Sequence, residues 1–323
     1  MTQLYAALAG DRMSVAFPTR DGDIHLDTPV NVLASYHFFR STDMAELASW
    51  GLRVIADSGA FSAESAGAVI ELTEYAAWIR KWRPCLHWAA SLDVIGDAAA
   101  SWDNWRALSA TGISSVPTIH YPADPHELDR YVEAGADLIG LGGMVPYRSE
   151  PQRLLRWCAQ VMAYAKRAHP ELRFHGWGIT HPALLLNLPW WSVDSSGYSS
   201  AYRYGRLRLF DPNQGRMVSV DVRVSTGREI AGAHRLLAEH YGLDDWRRIA
   251  TSHKGTRRDL CRTSLRSFQL MERFMSGRWK VPPPASIADG QVGPTLHAVL
   301  GSPAMQPARS LSPQDRPPKE CPA

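Results

Sequence analysis

The sequence predicts an α/β fold: a (β/α)₈ TIM-type barrel with a C-terminal basic helical extension. Three observations predict it. Short apolar runs alternate with helix-period segments through the middle of the chain. Most of those runs are continuous rather than alternating in and out, which suits parallel strands buried on both faces. Some seven such units fit within 323 residues, a length that holds a barrel of about 250 residues plus an extension.

The strands are read at Val32–Phe39, Val54–Ala56, Leu86–Leu92, Ser115–His120, Leu138–Leu141, Phe174–Gly176 and Trp191–Val193. Between them, Glu71–Trp82 places Leu72, Tyr75, Ala76, Ile79 and Trp82 on one helical stripe, and Ala99–Ala110 does the same with Trp102, Trp105 and Leu108. His126–Ala134 follows Asp124-Pro125, a capped helix start, and stops before Gly135. Arg153–Arg167 turns Leu154, Leu155, Cys158, Val161 and Met162 inward. After residue 200 the pattern changes. Leu207–Phe210 and Met217–Val222 flank Asp211-Pro212-Asn213-Gln214-Gly215 and read as a hairpin. Arg228–Lys280 reads as helical, and Pro282-Pro283-Pro284 ends it. The last 21 residues hold six prolines and read as a disordered tail. The expected division is 1–225 barrel, 226–281 basic helical extension and 282–323 Pro-rich tail.

Composition narrows the function classes. With 45% hydrophobic and 21% charged residues, wholesale disorder is excluded. A net charge of +3 excludes a globally basic coat for nucleic acid. Arg247–Lys280 nevertheless carries ten Arg or Lys against Asp259 and Glu272, a local +8 that leaves the rest of the chain at −5. Arg257, Arg258, Arg262 and Arg266 recur there at roughly helical spacing beside Leu260, Leu265 and Phe268. Such a helix can dock by its apolar face and offer arginines to phosphates; the plainer reading is a solvated basic face. Cysteines 85, 158, 261 and 321 show no C-x-x-C spacing, so neither a disulfide framework nor a zinc ribbon is expected. Neither a secretory signal nor a convincing membrane span is read, so the expected location is cytoplasmic.

Three acidic residues end expected strands: Asp57 in Asp-Ser-Gly-Ala-Phe, Asp93 in Ser-Leu-Asp-Val-Ile-Gly-Asp, and Asp194 in Asp-Ser-Ser-Gly-Tyr. In a parallel barrel these ends share the face where loops build a site. Each alone reads equally well as a helix or turn cap; three together, each near Gly or Ser, point to chemistry. Gly140-Leu141-Gly142-Gly143 and Gly176-Trp177-Gly178 close two further strands. They suit a flat ligand lying against main chain, or simply tight turns. His120 and His37 lack metal-ligand spacing and read as hydrogen-bonding or structural residues.

These segments, in this order, resemble the tRNA-guanine transglycosylase (queuine tRNA-ribosyltransferase) superfamily. Asp57-Ser58-Gly59-Ala60-Phe61 looks like its Asp-Ser-Gly-Gly-Phe motif, and Ala34-Ser35-Tyr36-His37-Phe38 is similar to its Asn-Thr-Tyr-His-Leu segment. Ile139–Gly143 resembles the Gly-Gly stretch that contacts the base. Gly176–Pro182, a helix, then Ser192-Val193-Asp194 follow the family's order up to its nucleophilic Asp. The likeness covers roughly residues 31–222. The family's C-terminal Cys-x-Cys-x-x-Cys zinc motif is absent, so no metal or other cofactor is expected. Ser-Leu-Asp-Val-Ile-Gly-Asp, His-Gly-Trp-Gly-Ile-Thr and Pro-Trp-Trp-Ser-Val-Asp-Ser-Ser look closer to the deazapurine DNA-modification branch often found in phages.

The resemblance implies exchange of guanine in DNA for a free 7-deazaguanine base. Asp194 is then the nucleophile, Asp57 the general acid/base and Asp93 the acceptor of the guanine N1–H and 2-amino group. Ser58, His120, Gly142, Gly143 and Tyr198 would contact the base, with Trp177 or Met144 as further stacking candidates, and Arg257, Arg258, Arg262 and Arg266 the nucleic acid. Partner subunits or a homodimer fit as well. The alternatives are the same exchange in tRNA, a non-catalytic nucleic-acid-binding barrel, and a barrel lyase or aldolase. The lack of a strand-end Lys weakens the last.

Overall fold

The computed structural model of the chain describes residues 2–8, 31–49, 51–179, 181–200, 206–221, 233–241 and 254–278. Among these, eight strands form one all-parallel sheet in the order β4-β3-β2-β1-β8-β7-β6-β5. They are β1 (Gln3–Ala7), β2 (Asn31–Ser35), β3 (Val54–Asp57), β4 (Leu86–Ala89), β5 (Thr118–His120), β6 (Leu138–Gly142), β7 (Arg173–Gly176) and β8 (Ser192–Ser195). The sheet curls, and beyond its edge strands Ala90 bridges Val116 in parallel. There the Val116 N–H donates to Ala89 O and the Ser91 N–H to Val116 O, both at 2.8 Å. The fold is α/β and TIM-barrel-like.

The helices follow from local sequence. Leu72–Trp82 (α4, after the short α1 Tyr36–Phe39, α2 Met44–Ser49 and α3 Ala60–Ser65) buries Tyr75, Ala76, Trp78 and Ile79. In α5 (Ala98–Ala110) Asp97 caps the N-terminus, its Oδ1 accepting from Ala99 and Ala100 N–H at 3.0 and 2.9 Å. Helix α8 (Pro182–Asn187) lies between β7 and β8, and a short helix α6 (Glu127–Glu133) precedes α7 (Pro151–Ala168). The latter starts on Pro151 and buries Leu154, Trp157, Cys158, Val161, Met162 and Ala165 at helical spacing, with Lys166 and Arg167 at its C-terminus.

Inside the sheet, Tyr5, Leu33, Ile55, Trp88, Val116, Leu138 and Trp191 meet in one apolar cluster. Each comes from a different strand or its immediate approach. They plug the lower interior, as side-chain layers do in such barrels. Tyr5 meets Trp88 edge-on at 6.2 Å, and Trp88 meets His175 at 4.9 Å. The strand faces turned outward join the helices in a second, larger core, so continuous apolar runs were the right signature.

Several expectations need correction. Gln3–Ala7 is a strand that the sequence reading missed. The run Val32–Phe39 is not one strand: β2 stops at Ser35, and Tyr36–Phe39 is a helical turn that buries Tyr36 and Phe39. An unbroken apolar run cannot mark that switch. Leu86–Leu92 and Ser115–His120 shorten to β4 and β5. Cys85 is disulfide-bonded, which the lack of any C-x-x-C spacing could not signal; Cys158 and Cys261 are buried. No helix among the described residues is long and apolar enough to cross a membrane.

The hairpin is present as β9 (Arg206–Asp211) and β10 (Arg216–Asp221). Asp211 Oδ1 accepts from Asn213 and Gln214 N–H in its turn, and Gly215 takes φ 59° there. Of the expected helical stretch, α9 (Ala233–His240) and α10 (Lys254–Arg278) are described. The Pro-rich tail lies outside the described residues.

Helix α10 is not a solvated arm. Leu265, Phe268, Met271 and Met275 join the main core. Leu260 joins Leu207, Leu209, Val218, Val220 and Tyr241 beneath the hairpin. Small buried residues, Thr263, Ser264 and Ser267, let it approach closely, and Ser267 Oγ accepts from Phe210 N–H at 2.6 Å. Glu272 accepts from the Leu4 N–H at 3.2 Å and the Asn31 side-chain amide at 3.1 Å. Ser276 Oγ donates to Thr2 O at 2.9 Å. The helix thus lies along β1 and the turn after β8, where the outer helix following the last barrel strand would stand. Burial pushes the Glu272 carboxyl up to about 7. Phe268→Ala should therefore lower global stability by roughly 3–5 kcal/mol in guanidinium unfolding. An unchanged midpoint would show that α10 is an independent appendage.

Candidate functional site

The three acids do converge. Asp57 ends β3, Asp194 lies within β8, and Asp93 follows β4, all at the C-terminal end of the parallel sheet. Their proximity registers on Asp57. Burial, then the charges of Asp194 and Asp93, push its carboxyl up to about 7, although the backbone N–H groups of Gly59 and Ser58 donate to it. At neutral pH this side chain therefore exchanges a proton readily, as a general acid/base must. The turn behind it admits only glycine at 59. Gly59 has φ 79°, and a Cβ there would stand 2.2 Å from Ser35 Oγ and 2.7 Å from His37 Cβ.

Asp194 is buried, at 5% exposure, yet among the described residues it caps nothing downstream of itself. Its Oδ1 accepts from the Gly178 N–H at 2.7 Å, across the loop that follows β7. Gly178 takes φ 62°, which aims that N–H into the sheet's mouth. His175 Nε2 lies 3.5 Å from the same oxygen. Asp93 has one oxygen 3.4 Å from His120 Nε2. Its other oxygen, Oδ1, is buried with no hydrogen-bond partner among the described residues. A buried acceptor left without a donor is costly, and that cost is removed if a ligand brings N–H groups to it. The capping explanation thus fails for Asp93 and Asp194.

The other expected residues divide. His120 stands with Asp93. Gly142 and Gly143 lie beside it: a Cβ on Gly142 would meet Thr118 Cγ2 at 2.8 Å, and one on Gly143, where φ is 71°, would meet His120 Cβ at 3.1 Å. Ser58 is buried, and its hydroxyl accepts from Ala60 N–H at 3.3 Å, a local role. Tyr198 is buried, with its hydroxyl donating to Ala7 O at 3.3 Å and its ring against Phe268 of α10. Met144 faces the helical layer, 3.6 Å from Cys158 Sγ. Arg262 and Arg266 are half-buried, and Arg266 donates to Tyr241 O at 3.3 Å, so these two are engaged in the fold. The side chains of Arg257 and Arg258 lie outside the described residues.

The flat group on the glycine wall is the protein's own. A Cβ on Gly140 would fall 2.0 Å from the Trp177 indole nitrogen, so that indole lies directly on β6. Its N–H donates to Thr118 Oγ1 at 3.0 Å, and its ring meets His175 edge-on at 4.1 Å. Trp177 is the floor of the site, between the three acids and the apolar plug.

Sequence reasoning missed His175. It is fully buried on β7, and although it opens the His-Gly-Trp-Gly-Ile-Thr segment, that segment gives the side chain no role. It also passed over Phe38 and Phe61, which stand exposed on α1 and α3 after β2 and β3. Phe61, only four residues past Asp57, was legible within the motif itself. Among the described residues no group of three or more His, Cys, Asp or Glu is arranged to hold a metal ion.

No protein-family model and no curated protein sequence matches the chain.

The Gly140–Trp177 contact can be tested directly. Gly140→Ala should cost roughly 1–3 kcal/mol, read from the urea midpoint. In a Trp177→Ala background the same change should cost less than about 0.5 kcal/mol, since the coupled partner is gone. Equal costs in both backgrounds would show that the indole does not impose the glycine.

Proposed function

We propose that this chain is a base-exchange transglycosylase on a (β/α)₈ barrel, replacing guanine in DNA by a 7-deazaguanine such as 7-cyano-7-deazaguanine. One observation carries the reading. Asp57, whose carboxyl is pushed up to about 7, stands within the field of Asp194 and Asp93 at the mouth of a parallel sheet. A near-neutral carboxyl beside a second carboxylate is the pairing that cleavage of a glycosidic bond by way of a covalent intermediate requires.

The steps balance on these residues. Asp194 attacks C1′ of the target nucleotide as the C1′–N9 bond breaks. The electron pair leaves with guanine, which takes the proton from Asp57. The 7-deazaguanine then enters, gives its N9 proton to the Asp57 carboxylate and attacks C1′. The C1′–O bond to Asp194 breaks, and its pair returns to the carboxylate. Asp93, with a buried oxygen that has no partner among the described residues, accepts from the guanine N1–H and 2-amino group, both donors. His120 backs it from 3.4 Å. The target nucleotide must leave any duplex stack to reach this depth. The motif variants around Asp93, His175 and Asp194 favour DNA over tRNA as the polymer.

Labelled-guanine exchange on DNA and on tRNA, with mass analysis of nucleosides after co-expression with a deazaguanine pathway, tests the reading. Modified DNA is expected. Asp194→Ala should lower exchange by at least about 10³-fold and abolish any denaturant-stable adduct. Asp57→Asn should lower it by about 10²–10⁴-fold. Modified tRNA alongside unmodified DNA would overturn the choice of polymer, and full activity in Asp194→Ala would overturn the chemistry.

A further inference from the structure

His175 has no part in the steps above, yet its surroundings are specific. It pairs in register with Ser192 of β8, and its Nδ1 lies 2.7 Å from Ser192 Oγ. Its Nε2 is 3.5 Å from Asp194 Oδ1 and has no closer hydrogen-bond partner among the described residues. The ring is fully buried and packed edge-on against Trp177 at 4.1 Å and Trp88 at 4.9 Å. These two indoles, themselves in contact at 5.8 Å, restrict rotation of the ring.

From this geometry we infer that Ser192, His175 and Asp194 form a fixed hydrogen-bond relay that selects which oxygen of Asp194 reacts. This rests on the reading of Asp194 as nucleophile. The Ser192 hydroxyl donates to Nδ1, which places the imidazole proton on Nε2. The Nε2–H then donates to Oδ1. Burial favours the neutral ring, so the relay supplies a donor rather than a positive charge. Oδ1 already accepts the Gly178 N–H; with His175 it carries two donors and is the spectator. Oδ2 is the oxygen left to bond C1′. The 3.5 Å separation is long for a hydrogen bond, as contacts at reactive groups often are before substrate binds.

The relay has a directional consequence. Donors on Oδ1 stabilise the carboxylate, so they assist its departure from C1′ when the incoming base attacks. Without them the second half of the exchange slows more than the first, and the covalent adduct accumulates. His175 is a positioning residue in this scheme, not one that touches the sugar.

Two measurements test it on the full chain. Long-range ¹H–¹⁵N spectra of the imidazoles should give His175 as the Nε2–H tautomer from pH 6 to 8, with its Nε2 signal shifting in Asp194→Asn. The Nδ1–H tautomer, or a signal indifferent to Asp194, overturns the relay whether or not the chain exchanges guanine. In the exchange assay, His175→Leu should lower kcat by about 10–100-fold, by analogy with outer-shell partners of reactive groups, with KM within about threefold and a larger steady-state fraction of adduct. His175→Gln, whose amide N–H can occupy the Nε2 position, should recover to within about fivefold of wild type. Ser192→Ala, nearly the same size, should fall between and covers the case in which His175→Leu does not fold. Equal rates in Ser192→Ala and wild type, or a Gln variant no better than Leu, would overturn the proposal. Loss of exchange in the wild type itself would instead overturn the nucleophile assignment, leaving the tautomer result to decide the relay.

Discussion

Three carboxyl groups held close together at one end of a buried parallel sheet set the conditions for everything around them. Like charges in a poorly solvated mouth repel, and burial penalises each charge further. The protein answers in three ways. One proton stays on Asp57 up to about pH 7. Backbone N–H groups of Ser58, Gly59 and Gly178 are aimed at two of the acids. Asp93 is left with His120 on one oxygen and, among the described residues, no hydrogen-bond partner on the other. Register enforces the convergence: Asp57 pairs with Ser35 of β2, and Asp194 pairs with Tyr5 of β1, so neither can move without shifting its strand.

Chemistry and stability are separated along the interior. Below, seven large apolar residues fill the barrel-like sheet. Above, the acids and histidines stand at the mouth. Trp177 divides the two, lying on Gly140 with its N–H tied to Thr118. The outer wall is completed by α10, whose buried serines and threonine let it seat against β1 and the hairpin. Charge there does not translate into free arginines: Arg262 and Arg266 are half-buried. The basic composition of Arg247–Lys280 is partly a property of how this helix docks.

Much of the fold was legible because parallel strands buried on both faces must be continuously apolar. That rule found seven of the eight strands and the long helices, and the hairpin turn announced itself through Asp211 and Gly215. It could not find β1, where Gln3-Leu-Tyr-Ala-Ala lacks a β-branched run, nor the switch from strand to helix at Tyr36. The acids were legible because Asp follows an apolar run three times. His175 was not, since its role depends on Ser192 and Asp194 reaching it through sheet register, which no local spacing encodes. The glycines of β6 were noticed for the right reason, close approach, but the approaching group is Trp177, which lies 37 residues after Gly140 in the chain.

The site depends most on the proton that Asp57 holds beside two other carboxyl groups. Carboxyl ¹³C titration by NMR, with Asp57 assigned through Asp57→Asn, measures it directly. The wild-type Asp57 resonance should titrate near pH 7 and move down by roughly one unit when Asp194→Asn removes the nearest charge. An Asp57 that titrates near 4 in the wild type, or one indifferent to both Asp194 and Asp93, would contradict the convergence on which the site is built.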